Sequence, residues 1–259
     1  MKKAIRISQI KELELIQNKY DHIYFGDYHC NEYLITKAEM NYLLKYCKER
    51  NIGLSVIIPF LFEEDFVNLK EILQIAEYNY KIGIVVNDWG VLKFINTLYG
   101  SDIEDKFRIE TGILLNRKKK TPITENVYFK LEESIRENLQ NTSLNMRECW
   151  GLLKQYHVSG VHFENTYNKN NIEENFPFNK ILVYPYVNVT LIRSCPLKSI
   201  IKENIHSCCR YCNNNDIYLG NSTVNYNVIL KGRSIRYTNT SNVDMHMYDC
   251  IIEDANKKG

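Results

Sequence analysis

The feature that most limits the folds open to this chain is an alternation of two hydrophobic periods. Short runs of β-branched and apolar residues recur at 22–27 (HIYFGD), 53–60 (GLSVIIPF), 82–88 (IGIVVND), 107–116 (FRIETGILLN) and 160–165 (GVHFEN). Between them lie stretches with helical spacing, at 36–51, 63–79, 90–100, 134–140 and 146–157. Apolar strands separated by amphipathic helices predict βαβ units and a parallel sheet covered on both faces. Right-handed crossovers leave a barrel or a doubly wound sheet. With the further strand-like run at 181–195 at least six strands recur, and neither GxGxxG nor GxxxxGK[ST] occurs, so a barrel is favoured. The predicted fold class is α/β, with a parallel (β/α), TIM-barrel-like core from about residue 4 to 195.

Beyond residue 181 the pattern changes. ILVYPYVNVTLIRSC (181–195) reads as one long strand, and IYLGNSTVNYNVILKGRSIRYTN (217–239) as β-hairpins. The Asn-rich YNKNNIEENFPFNK (167–180) reads as a surface loop. With no internal repeat and no low-complexity linker, one domain over 1–259 is expected, with 195–259 forming a cysteine-rich segment and β-rich tail.

Composition narrows the function. Lys+Arg 33 against Asp+Glu 31 gives a net charge of +2, too balanced for a protein whose main task is gripping a nucleic-acid backbone. The N-terminal MKKAIRISQIKELELIQNKY lacks the apolar stretch of a signal peptide, and no window reaches 18 apolar residues. The expectation is a cytoplasmic chain with no membrane span, where structural disulfides are uncommon.

That bears on the cysteines, because four of the eight fall within IRSCPLKSIIKENIHSCCRYCNN (192–214). Cys195, Cys208 and Cys212 make a C-x12-C-x3-C series, and Cys209 makes a C-x2-C pair with Cys212. Converging thiols suit zinc or an iron–sulfur centre, while redox chemistry and incidental buried thiols remain alternatives. A fourth ligand must come from elsewhere. Cys30 is the best remote candidate, since it follows the strand ending at Asp27 and parallel barrels carry function at strand C-termini. Cys47, Cys149 and Cys250 read as small apolar fillers.

The run IRSCP, then CCRYC, then GRSIRYTNTS resembles the collagenase-like peptidase family thirty-two, and within it the UbiU/UbiV-like branch of anaerobic ubiquinone-biosynthesis hydroxylation proteins. IGIVVNDWGVLKF and GVHFEN are similar to further steps of that family. The resemblance implies a 4Fe–4S cluster held by Cys30, Cys195, Cys208 and Cys212, with Cys208 rather than Cys209 as ligand. It implies oxygen-independent hydroxylation, or a related redox modification, of a small-molecule, nucleobase (RNA) or peptide substrate. It further implies a heterodimer with a related family member. A structural zinc site in a non-catalytic subunit is the alternative.

Polar residues at strand ends complete the candidate site: Asp27, His29, Asn87, Asp88, Asn116, Glu164, Arg193 and His206. Glu164 is a candidate acid, base or substrate anchor, and Arg193 a candidate counter-charge to thiolates. The competing explanation for such residues is helix capping, which fits Asn87 and Asp88. Hydrolysis is disfavoured despite the family name. No GxSxG, no HExxH and no Ser/His/Asp ordering is present, and cysteines committed as ligands cannot serve as nucleophiles.

Overall fold

The computed structural model describes residues 1–16, 19–118, 128, 130–166, 170–192, 194–200, 208, 210–213, 215–220, 228–241 and 243–255. Eight parallel strands close a barrel in the order β1-β12-β7-β6-β5-β4-β3-β2. They are β1 (Lys2–Ile7), β2 (His22–Phe25), β3 (Gly53–Ile58), β4 (Ile82–Val86), β5 (Phe107–Thr111), β6 (Val158–Glu164), β7 (Asn179–Tyr184) and β12 (Cys250–Asp254). Among the described residues the α-helices are α1 (Lys37–Arg50), α2 (Asp65–Glu77), α3 (Trp89–Tyr99), α4 (Ile103–Lys106), α5 (Glu133–Gln140), α6 (Arg147–Gln155) and α7 (Pro196–Ile200).

Local chemistry sets these boundaries. Thr36 and Glu39 form a reciprocal capping box at the start of α1, and Asn51 ends it with φ 53°. The buried residues Met40, Leu43, Leu44 and Cys47 fall on one helical stripe, as do Leu69, Ile72, Leu73 and Ala76 of α2. These stripes pack on the outward side chains of the strands, such as Ile23, Phe25, Leu54, Val56, Ile84 and Val86. Fully burying an Ile, Leu or Phe contributes ~1.5–3 kcal/mol, so this outer layer carries much of the stability. The alternate positions point inward, where Ala4, Tyr24, Ile57, Val85, Ile181, Val183 and Ile252 form a second cluster inside the barrel.

A four-stranded antiparallel sheet, in the order β8-β11-β10-β9, is made from β8 (Tyr186–Leu191), β9 (Ile217–Leu219), β10 (Val228–Lys231) and β11 (Ser234–Thr238). Residues of β8 and β11 share a cavity with Arg6, Tyr28, Glu164 and Asp254, all at the C-terminal ends of barrel strands or just beyond, so this sheet covers the barrel mouth.

Three expectations change. The core does not end near residue 195, because β12 pairs with both β1 and β7 and supplies the eighth stave. Closure leaves no unpaired edge, which is why a strand so late in the chain is required. The run 181–195 is two strands, β7 in the barrel and β8 in the small sheet, with Pro185 between them unable to donate to a ladder. Within the expected 167–180 surface loop, the described residues 170–180 reach the core: Phe176 is buried against Phe163 and Trp150, and buried Phe178 packs edge-on to Phe176.

The barrel floor depends on close approach. A Cβ at Gly83 would overlap Ser55 Oγ on the neighbouring strand. Gly83→Ala is therefore expected to lower stability by ~1–3 kcal/mol through overpacking. Chemical denaturation followed by circular dichroism measures it, and an unchanged midpoint would show that the lumen has room to spare.

Candidate functional site

The cysteine corner is built from β2 outward. Beyond Phe25 the chain turns through Gly26 at φ 121°, where a Cβ would lie 2.8 Å from the Ile57 carbonyl oxygen. Asp27 then accepts from the backbone N–H of His29 (2.8 Å) and of Cys30 (3.1 Å), while its other oxygen receives Arg6 at 3.0 Å. That turn fixes Cys30 at the mouth. Cys30, Tyr33, Leu197, Cys212 and Leu230 form one buried apolar cluster, with Cys195 packed against it. Cys208 and Cys195 both lie close enough for their charge to act on Cys212. Gly232, at φ 59° in the β10–β11 turn, approaches Cys212 Sγ.

Electrostatics here favour the neutral thiol. Burial pushes Cys30 up to about 12, reinforced by Asp27 and Cys212 and opposed by Arg233. Burial also raises Cys212, whose Sγ lies 3.5 Å from the Tyr33 hydroxyl. Cations gather round: the Arg210 guanidinium sits 5.0 Å from the Tyr33 ring centre and donates to the Glu32 carbonyl, while the Arg210 backbone N–H bonds the Cys208 sulfur at 3.4 Å, and Lys198 pairs with Glu32 at 3.0 Å. Arg233 Nε is buried without a hydrogen-bond partner. The donor set therefore suits a soft, thiophilic group that displaces thiol protons, with cations available to balance thiolates. Among the described residues, no three His, Cys, Asp or Glu side chains already stand in metal-holding geometry.

The other named residues fall as follows. Cys47 lies inside α1, Cys149 donates to the Ser143 carbonyl from α6, and Cys250 faces the barrel lumen. Asp88 caps α3 through the N–H of Gly90 and Val91, and Asn87 ties the Ile58 carbonyl to the N–H of Leu114. Asn116 bridges the His162 carbonyl and the N–H of Leu144. Glu164, at the end of β6, accepts from the backbone N–H of Asn188 at 2.6 Å. Arg193, His206 and Cys209 lie outside the described residues.

Beside the cysteine corner is a small cavity of about 20 Å³, where Arg6, Tyr28, His29, Glu164, Asn188, Arg236 and Asp254 meet apolar walls from Ile113, Val183 and Ile252. It adjoins an open cleft of about 960 Å³ through the shared residues Ile113 and Asn188. Most of the polar lining was not foreseen from sequence. Arg6 pairs with both Asp254 and Asp27. Below it, the Tyr28 hydroxyl meets His162 Nδ1 at 2.9 Å, and His162 Nε2 meets Glu110 at 2.9 Å. This buried Tyr–His–Glu chain runs from the cavity wall into the lumen. Deeper still, His22 Nε2 bonds Ser55 at 2.8 Å. The available signal was a polar residue at every second strand position, as in His162 and Glu164 of β6.

No protein-family model matches the chain, and no curated protein matches it. Among solved structures, the U32 peptidase Mk0906 is similar to it over 98% of this chain and 92% of that one, with a TM-score of 0.50 and 10% identity. The likeness is one of fold. Among the described residues no helix is long and apolar enough to cross a membrane.

Two lumen groups give separable pH signatures. Burial lowers His22 to about 4. Its unfolded counterpart takes up a proton near pH 6.5, so stability is fullest above that pH and falls as pH drops toward 4. Burial opposes ionisation of Glu110, but the hydrogen bond and charge of His162 prevail and hold it below the usual carboxylate range. Its contribution is therefore full above about pH 4.3 and is lost as pH falls through the folded value. In thermal melts across pH, His22→Asn is expected to flatten the higher window and Glu110→Gln the lower one. Identical profiles for wild type and both variants would refute these assignments.

Proposed function

We propose that this chain is an iron–sulfur redox enzyme, similar to the UbiU/UbiV-like branch of peptidase family thirty-two, that modifies a substrate at the barrel mouth. The observation that carries this reading is the gathering of Cys30, Cys195 and Cys212 in one apolar cluster, with Cys208 acting on Cys212, beside a cavity at the strand C-termini. Cys30, Cys195, Cys208 and Cys212 would hold a 4Fe–4S cluster, which when bound exchanges electrons. Lys198, Arg210 and Arg233 would lessen repulsion among four thiolates, the part first assigned to Arg193.

The chain's own groups supply the rest. Tyr28 lines the cavity, and the chain from its hydroxyl through His162 to Glu110 can pass or hold a proton. Glu164 is fixed by the Asn188 N–H and faces the same cavity. The activity class is oxygen-independent hydroxylation or a related redox modification of a small-molecule, nucleobase (RNA) or peptide substrate, with a related chain as heterodimer partner. Hydrolysis is less favoured, because a Cys30 thiol raised to about 12 is a poor nucleophile. A structural zinc site is the alternative reading.

Anaerobic purification, visible absorbance and iron and sulfide analysis test this. Broad visible absorbance is expected, lost in Cys30→Ser, Cys195→Ser, Cys208→Ser and Cys212→Ser and kept in Cys209→Ser. Colourless protein with zinc would replace iron–sulfur by the structural site. Opposite behaviour of Cys208→Ser and Cys209→Ser would move the ligand to Cys209. Protein without metal, even after reconstitution, would overturn the reading.

A further inference from the structure

The cavity at the barrel mouth contains a guanidinium with one unpartnered edge. Arg236 of β11 is 6% exposed. Its Nη1 lies 3.9 Å from Asp254, and its guanidinium carbon sits over the Tyr186 ring, 3.9 Å from the ring centre. Nε and Nη2 have no hydrogen-bond partner. Those two nitrogens form one edge of the guanidinium, the edge that grips a carboxylate with two parallel bonds. A buried charged donor left without a partner bears its full desolvation penalty, so two on one edge call for an occupant.

The neighbour across the ladder sharpens this. Asn188 of β8 is the register partner of Arg236, which puts both side chains on one face of the small sheet about 5 Å apart at Cβ. A register irregularity between Ile235 and Arg236 interrupts the ladder there, as bulges do where a side chain is re-aimed. Asn188 Oδ1 is also buried without a partner, and it too lines the cavity. An acceptor beside a carboxylate-gripping edge asks for a donor on the atom next to the carboxylate.

The geometry points to a ligand of one chemical class: a carboxylic acid with a hydroxyl or amine on the adjacent carbon. Its carboxylate takes Nε and Nη2 of Arg236, and its donor takes Asn188 Oδ1. At about 20 Å³ the cavity admits the polar head alone. The body extends past Ile113 and Asn188 into the larger cleft, where Phe60, Trp89, Leu114 and Leu115 offer apolar walls. A tetrahedral dianion is disfavoured by its second negative charge beside Glu164 and Asp254 in the wall. The inference rests on the mouth cavity being the substrate site and is independent of any cluster.

Calorimetric titration with four aromatic probes tests it: 3-phenyllactate, phenylalanine, 3-phenylpropanoate and 3-phenyllactamide. Phenyllactate or phenylalanine is expected to bind at least about tenfold tighter than the amide, the size of a charge-assisted pair. Whichever binds tighter identifies the donor as hydroxyl or ammonium. Phenylpropanoate, lacking a donor, should be weaker than that probe, and Asn188→Leu should erase the difference. Arg236→Gln should abolish the preference for acid over amide. Equal binding of acid and amide to wild type overturns the inference, and so does absence of binding by both donor-bearing acids. The wild-type comparison decides even if the variants fail to fold. Iron content and visible absorbance of the same samples are read separately, so binding without a cluster refutes the redox reading alone, and a cluster without binding refutes this inference alone.

Discussion

Arg6 sits between two carboxylates, and the mouth of the barrel is organised around it. The guanidinium projects from β1, Asp254 from β12 and Asp27 from just beyond β2, so one buried cation spans three adjoining staves. Arg6 stays charged because the two acids outweigh the penalty of burial, and Asp27 is held well below the usual carboxylate range by His29 and Arg6 despite that penalty. Such a group is weak evidence for net stability, yet removing one member strands the others and costs ~3–5 kcal/mol. What it supplies is position. It fastens the last strand beside the first, turns Asp27 so that Cys30 enters the apolar corner, and supplies Asp254 as the neighbour of Arg236.

The barrel was legible because its signal is local. Strand runs of period two and helical stripes such as Met40, Leu43, Leu44 and Cys47 are read within a dozen residues. What escaped depends on distance along the chain. The stave at 250–254 belongs to the barrel only because β1 and β7 leave a gap of one strand, which no window around CIIED reveals. Likewise, Arg236 and Asn188 become neighbours only through the ladder register, and Tyr28, His162 and Glu110 only through closure of the barrel. Cys30 was legible as a thiol after a strand end, but the Asp27 turn that aims it was not.

The lumen divides by chemistry along the barrel axis. His22 and Ser55 lie toward the floor, and Gly83 leaves Ser55 its room. Glu110 and His162 come next, and above them are Tyr28, Arg6 and Asp254. Polar groups that reach this far into an apolar barrel must be paired to be tolerated, and these are. Pairing ends at the mouth, where Arg236 Nε and Nη2, Asn188 Oδ1 and His29 Nε2 are left without partners. Arg236 and Asn188 carry their unpartnered atoms side by side on one cavity wall, and that is where a ligand would complete the structure, independently of any fold likeness.

The two halves of the mouth make opposite demands on charge, and the fold keeps them apart. The thiol corner is apolar, and burial holds Cys30 and Cys212 toward the neutral form, so anything bound there must overcome that cost through sulfur bonds and nearby cations. The cavity beside it carries opposite charges already facing each other. His29 and Cys30 are consecutive in the Asp27 turn, yet His29 lines the cavity while Cys30 packs in the apolar cluster. A redox group on the sulfur side and a carboxylate head on the arginine side would thus sit on neighbouring faces of one short turn. The negative charge that each adds would fall nearest its own cations: Arg233 and Arg210 for the first, Arg236 for the second.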